Sequence, residues 1–115
     1  MLQKNQRKCY IRTKRDNHIA TISLSGRFTF EAHRLFKAAY IASLEDSGVA
    51  CLVVDLQGIE YLDSSALGML LMLRDHVLAA SKTLELANPS GITARTFDIA
   101  GFYRMFVIKE MGALA

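Results

Sequence analysis

The sequence predicts an α/β fold: a mixed β-sheet in the element order β-β-α-β-α-β-α-β, with helices packed on one face. Three observations lead there. Two short segments near the start alternate polar and apolar residues. "VACLVVDL", residues 49 to 56, is an unbroken apolar run of strand length. Between and beyond these lie stretches with helical spacing. At 115 residues, 51% hydrophobic and 22% charged, the chain suits one domain over 1 to 115 with its core within about 8 to 110, able to bury roughly 65% of its unfolded surface.

The elements follow in order. "CYIRTKR" (9 to 15) and "HIATISLSG" (18 to 26) read as a hairpin turning at Asp16-Asn17. "TFEAHRLFKAAYIASLEDSG" (29 to 48) places Phe28 or Phe30, Leu35, Phe36, Ala39, Tyr40 and Leu44 near helical spacing, with Thr29 as N-cap and Gly48 as the stop. The strand 49 to 56 ends at Asp55, before a loop containing Gly58. A helix from Ser64 to about Ala80 comes next, then a strand in 82 to 89 closed by Asn88-Pro89. Residues 90 to 101 give a third helix with Ile92, Phe97 and Ile99 towards one face and Gly101 at its end, and "YRMFVIK" (103 to 109) a last strand. Because crossovers between parallel strands are right-handed, the helices gather on one side.

Composition narrows the function classes. No apolar run approaches the ~20 residues that cross a bilayer, and no signal-like segment follows Met1, so the expectation is a soluble cytoplasmic protein without a membrane partner. Cys9 and Cys51 stand alone, without ligand spacing, so neither disulfide nor metal nor other cofactor is expected. Six of the fourteen basic residues, Lys4, Arg7, Lys8, Arg12, Lys14 and Arg15, fall in the first fifteen positions, which hold no acid; the remainder carries 8 − 11 = −3. Alternation with Tyr10 and Ile11 reads as the solvated face of an edge strand, where charge blocks edge-to-edge pairing, rather than as a nucleic-acid site.

The stretch with chemical potential is "EYLDSSALGMLLMLRDH" (60 to 76). Ser64 as N-cap would accept from a first-turn N–H, and Asp63 would place negative charge at the positive end of the helix dipole, worth about 0.3 to 1 kcal/mol. Capping alone explains these residues, but not the helix after them. Residues 66 to 73 are apolar around the circumference, and the stripe Leu67, Leu70, Leu71, Val77 and Leu78 is enough to pack on a sheet. Met69, Met72 and Leu73 are then surplus, and flexible methionines suit adaptable docking surfaces. Gly68 costs about 1 kcal/mol in a helix relative to Ala, and close approach of a partner is one reason to keep it.

"VVDLQGIEYLDSSALGMLL" resembles the phosphorylation-site segment of STAS-domain proteins, the anti-sigma factor antagonists: an apolar strand ending in Asp, a short loop, Asp-Ser-Ser/Thr, then a Gly-containing apolar helix. The likeness spans about residues 8 to 110, and "GRFTFEAHRLFKAAY" with "YLDSSALGMLLMLRDH" is similar to antagonists that work with partner-switching response regulators. Ala66 stands where the commonest motif has Gly. The resemblance implies a STAS-like domain that is not an enzyme, with Ser64 as phosphoacceptor and Ser65 as a weaker candidate. It implies a partner surface at Asp63, Ser64, Ser65, Gly68, Met69 and Met72. It implies as partners an anti-sigma factor with serine kinase activity and a PP2C-type phosphatase or phosphatase-containing response regulator, on a monomer or weak dimer. The same fold also serves as a scaffold or sensor module of a larger assembly, or as a small-ligand binder using the helix start. A hydrolase built on Ser64, Asp75 and His76 is excluded, since the latter two lie roughly 18 Å along the same helix.

Overall fold

The computed structural model describes residues 8–112. Lys4 and Arg7 lie outside them. Five strands form one sheet in the spatial order of the sequence: β1 (Cys9–Asp16), β2 (Ile19–Phe28), β3 (Cys51–Leu62), β4 (Thr83–Ala87) and β5 (Val107–Lys109). β1 pairs antiparallel with β2 through the predicted hairpin, where Asn17 takes φ 54°; the other neighbours are parallel. α1 (His33–Glu45), α2 (Ser64–Ala79) and the pair α3 (Ile92–Ala100) with the single turn α4 (Phe102–Met105) carry the parallel crossovers. Three right-handed crossovers stepping in one direction place these helices on one face.

That arrangement explains the burial. In β2 the residues Ala20, Ile22, Leu24, Gly26 and Phe28 are buried, and the alternate positions Ile19, Thr21, Ser23, Ser25 and Arg27 are half-buried on the opposite, helix-free face. Under the helices, Ile22, Leu24, Phe28, Leu52, Val54 and Leu56 meet Phe36, Leu70, Leu73, Phe97 and Phe102 in one core.

Several expected boundaries shift. β3 does not stop at Asp55 but runs to Leu62, and the expected loop is strand with two irregularities. Ser23 faces Asp55 while Ser25 faces Gly58, and Gly26 faces Ile59 while Arg27 faces Tyr61, so β3 absorbs an extra residue twice. Gly58 is required there: a Cβ would lie 2.7 Å from Ser25 Cβ and 3.0 Å from the Leu24 carbonyl oxygen. The first helix is preceded by a 3-10 turn at Phe30–Ala32, and ends at Asp46 rather than Gly48. Thr29 precedes that turn without making a side-chain cap. Phe28 belongs to the core, Phe30 is 65% exposed, and Leu35 also points outward. In α3 the buried residues are Thr93 and Phe97, whereas Ile92 and Ile99 are exposed. The predicted last strand divides into α4 and the three residues of β5, because Phe102 turns inward against Phe97 with ring centroids 4.9 Å apart.

Candidate functional site at the start of the second helix

Parallel strands β2, β3 and β4 end at the same edge of the sheet, so the helices that follow begin there too. β3 delivers Asp63 in an extended conformation (φ −109°, ψ −179°), and α2 starts at the next residue. Asp63, not Ser64, is the N-cap: its Oδ1 accepts from the Ala66 N–H at 3.0 Å. This corrects the expected cap by one residue. Both residue types cap well, and the choice falls to Asp63 because pairing of Leu62 with Phe28 fixes where the strand ends. Ser64 becomes the first helical residue, exposed, and among the described residues its hydroxyl has no hydrogen-bond partner. Ser65 is half-buried.

α2 is rotated from the expected setting. Its buried residues are Ala66, Met69, Leu70, Leu73 and Val77, while Leu78 is 61% exposed. The reason is that α2 packs against α1 as well as the sheet. Met69 is therefore a correction: at 4% exposed it is core, seated beside His33, Phe36, Lys37 and Tyr40 of α1, and presents no surface to a partner. Met72 is 43% exposed. The outward stripe of α2 reads Ser64, Gly68, Met72, four residues apart, continuing to Asp75. Nothing lies within 4 Å of where a Gly68 Cβ would stand, so no internal contact requires the glycine.

Phe30, which the sequence offered with Phe28 as an apolar-face residue of the first helix, instead joins this surface from the adjoining 3-10 turn, stacked on His33 at 5.4 Å between centroids. Its signal was present as parity. Inward positions of β2 fall on even numbers up to Phe28, after which the strand ends and Phe30 has no core position left. His76 sits at the other end of α2, where its Nδ1 is 3.2 Å from the Tyr40 hydroxyl and 3.0 Å from the Met72 carbonyl oxygen. It ties α2 to α1 and stands apart from Ser64. Burial holds the Tyr40 phenol above its ordinary pKa. No helix among the described residues is long and apolar enough to cross a membrane.

A sheet with one antiparallel edge pair and parallel crossovers carried by helices defines the class, an α/β domain. The family model described as "Mlab, STAS domain" matches residues 11–109. The chain is 42% identical over 98 residues to a STAS-domain containing protein of Pseudomonas aeruginosa, covering 82% of this chain and 91% of that one. It belongs to the STAS family. An anti-sigma factor antagonist from Mycobacterium paratuberculosis shares the fold with TM-score 0.80 and 19% identity, over 93% of this chain and 90% of that one. So does the Bacillus cell fate determinant SpoIIAA in its phosphorylated form, with TM-score 0.68 and 18% identity over 86% of this chain and 90% of that one. The same protein in its unphosphorylated form gives TM-score 0.70 and 15% identity, over 90% of each chain.

Proposed function

We propose that the protein is an anti-sigma factor antagonist of the partner-switching kind: it binds an anti-sigma factor with serine kinase activity while Ser64 is unmodified, and releases it once Ser64 is phosphorylated. A PP2C-type phosphatase, free or within a response regulator, resets it in the cytoplasm. The observation that carries this reading is the division of labour between neighbours. Asp63 holds the helix, so the Ser64 hydroxyl is exposed and uncommitted to the fold. The shared fold of antagonists, one of them solved with and without its phosphate, supports it.

The physics of the switch is local. A phosphate adds about −1.5 to −2 charge, which the positive end of α2 accommodates, so the domain stays folded. A partner covering Ser64, Gly68, Met72 and Phe30 must desolvate that charge beside Asp63, and each ~1.4 kcal/mol of penalty weakens binding tenfold. The test has two readouts. Intact mass after incubation with ATP and the cognate kinase should gain one phosphate, mapped to Ser64 and absent in Ser64→Ala. The Ala variant should bind the anti-sigma factor as tightly as the unmodified protein, and Ser64→Asp at least tenfold more weakly. Equal affinity of the two variants would sink the switch; a phosphate mapped to Ser65 would move the acceptor.

A further inference from the structure

The helix-free face of the sheet carries a second surface, on the opposite side of the sheet from α2. Alternation in β1 puts Tyr10, Arg12 and Lys14 on it, opposite Ser25, Ser23 and Thr21 of β2. The register of β2 with β3 then adds Arg27 and Tyr61, whose ring lies 4.0 Å from the guanidinium carbon, while Lys8 stands 5.9 Å over the Tyr10 ring. Both tyrosines remain more than one-third exposed. Four cations and two aromatic rings that are spread along the sequence thus share one face. Two strand spacings across and two residues along separate the Cα atoms of Tyr10 and Tyr61 by about 12 Å.

Beside Tyr10, on the side away from Tyr61, lies a groove of about 540 Å³, lined by Tyr10, Arg12, Ser23, Ser25, Asp55 and Gln57. Its acid makes no ion pair among the described residues. Asp55 is buried, its Oδ1 accepting from the Gln57 N–H at 3.1 Å and the Asn88 side-chain amide at 3.3 Å, and Arg12 makes no ion pair among the described residues. Of the other acids that alternation puts on this face, Asp16 closes β1 two residues beyond Lys14, and Glu85 is paired with Lys109 at 3.2 Å. Such a surface suits a chain that alternates phosphates with flat rings: cations track the backbone, tyrosine rings take bases, and Ser, Gln and Asp side chains meet polar base edges.

We propose that this open sheet face binds single-stranded nucleic acid. An acidic protein segment would use the cations but not the two aromatic rings or the polar groove beside Tyr10. The site does not involve Ser64 or the anti-sigma factor.

Fluorescence anisotropy with a labelled oligothymidylate at about 50 mM salt tests it, with unlabelled heparin as a polyanion lacking bases. Wild type should bind the oligomer, more weakly as salt rises. Tyr61→Ala and Tyr10→Ala should each weaken oligomer binding about tenfold and leave heparin binding unchanged, while Tyr61→Phe keeps the oligomer. Arg12→Glu should weaken both probes, and Ser64→Asp neither. No oligomer binding at low salt overturns the proposal, as does oligomer binding that ignores both tyrosine substitutions. Circular dichroism of each variant separates lost stacking from lost folding.

Discussion

The two faces of the sheet are made from the same strands and obey opposite rules. On the helix side, Ile22, Leu24, Phe28, Val54 and Leu86 are sealed beneath α1 to α4. On the open side the alternate residues are Thr21, Ser23, Ser25 and Arg27, with β1 contributing Tyr10, Arg12 and Lys14. The difference is topological before it is chemical. Crossovers of one hand stepping one way leave one face without helices, and there β1 and β2 carry mostly polar side chains while Val53 and Ala87 fill the centre. Stability resides on the first face, and freedom to carry recognition on the second and along the outward stripe of α2.

Substitutions across the sheet break the comparison most strongly. Leu70→Ala, in the core of α2, should cost about 2–5 kcal/mol in urea unfolding, and Thr21→Ala on the open face less than about 0.5 kcal/mol. Comparable losses would mean that both faces are packed. The two glycines provide a second contrast. Gly58→Ala pushes a Cβ into the β2 backbone region and should destabilise by about 1–3 kcal/mol, whereas Gly68→Ala meets open space and should stabilise by up to about 1 kcal/mol while weakening partner binding. Asp63→Ala removes the cap and should cost about 1 kcal/mol, against a few tenths for Ser64→Ala, both measured by thermal unfolding.

The smallest effect lies at the edge of the sheet. Burial pushes the Cys9 thiol from 9.0 up to about 11, only partly offset by a backbone hydrogen bond from Ser25. The folded pKa is above the unfolded one, so this contribution is complete below about pH 9 and is lost as pH rises through 9 to 11. Stability measured across that window should fall less in Cys9→Ala than in wild type. In the native protein, iodoacetamide at about pH 8.5 should also label Cys9 far more slowly than in urea.

How far the sequence reaches depends on what each segment contrasts with its surroundings. β2 was legible because polar and apolar residues alternate without a break, and the β1–β2 turn because Asn17 tolerates a positive φ. The end of β3 was hidden: the extra residues interrupt the period, so Gln57-Gly58 looked like a loop. α2 was found as a helix, but its rotation was not, since a segment apolar on every side gives packing several equivalent choices. Met69 rather than Leu78 turned inward once α1 was in place. At the helix mouth, Asp63 and Ser64 are equally good caps by type, and only the register of β3 separates them. The basic alternation of β1 was visible as an edge strand, whereas its union with Arg27 and Tyr61 required the strand pairing.

The attachment of α2 to α1 has a consequence for how a signal is read. Tyr40 meets His76, and the Lys82 ammonium just beyond α2 donates to the backbone carbonyls of Asp46 and Val49, clamping the far end of α2 to the segment after α1. With its rear end bolted down, α2 has little room to slide or tilt when its front end changes. A phosphate placed at the front, as proposed, would then be displayed where it is written, and a reader would have to touch that spot to receive it.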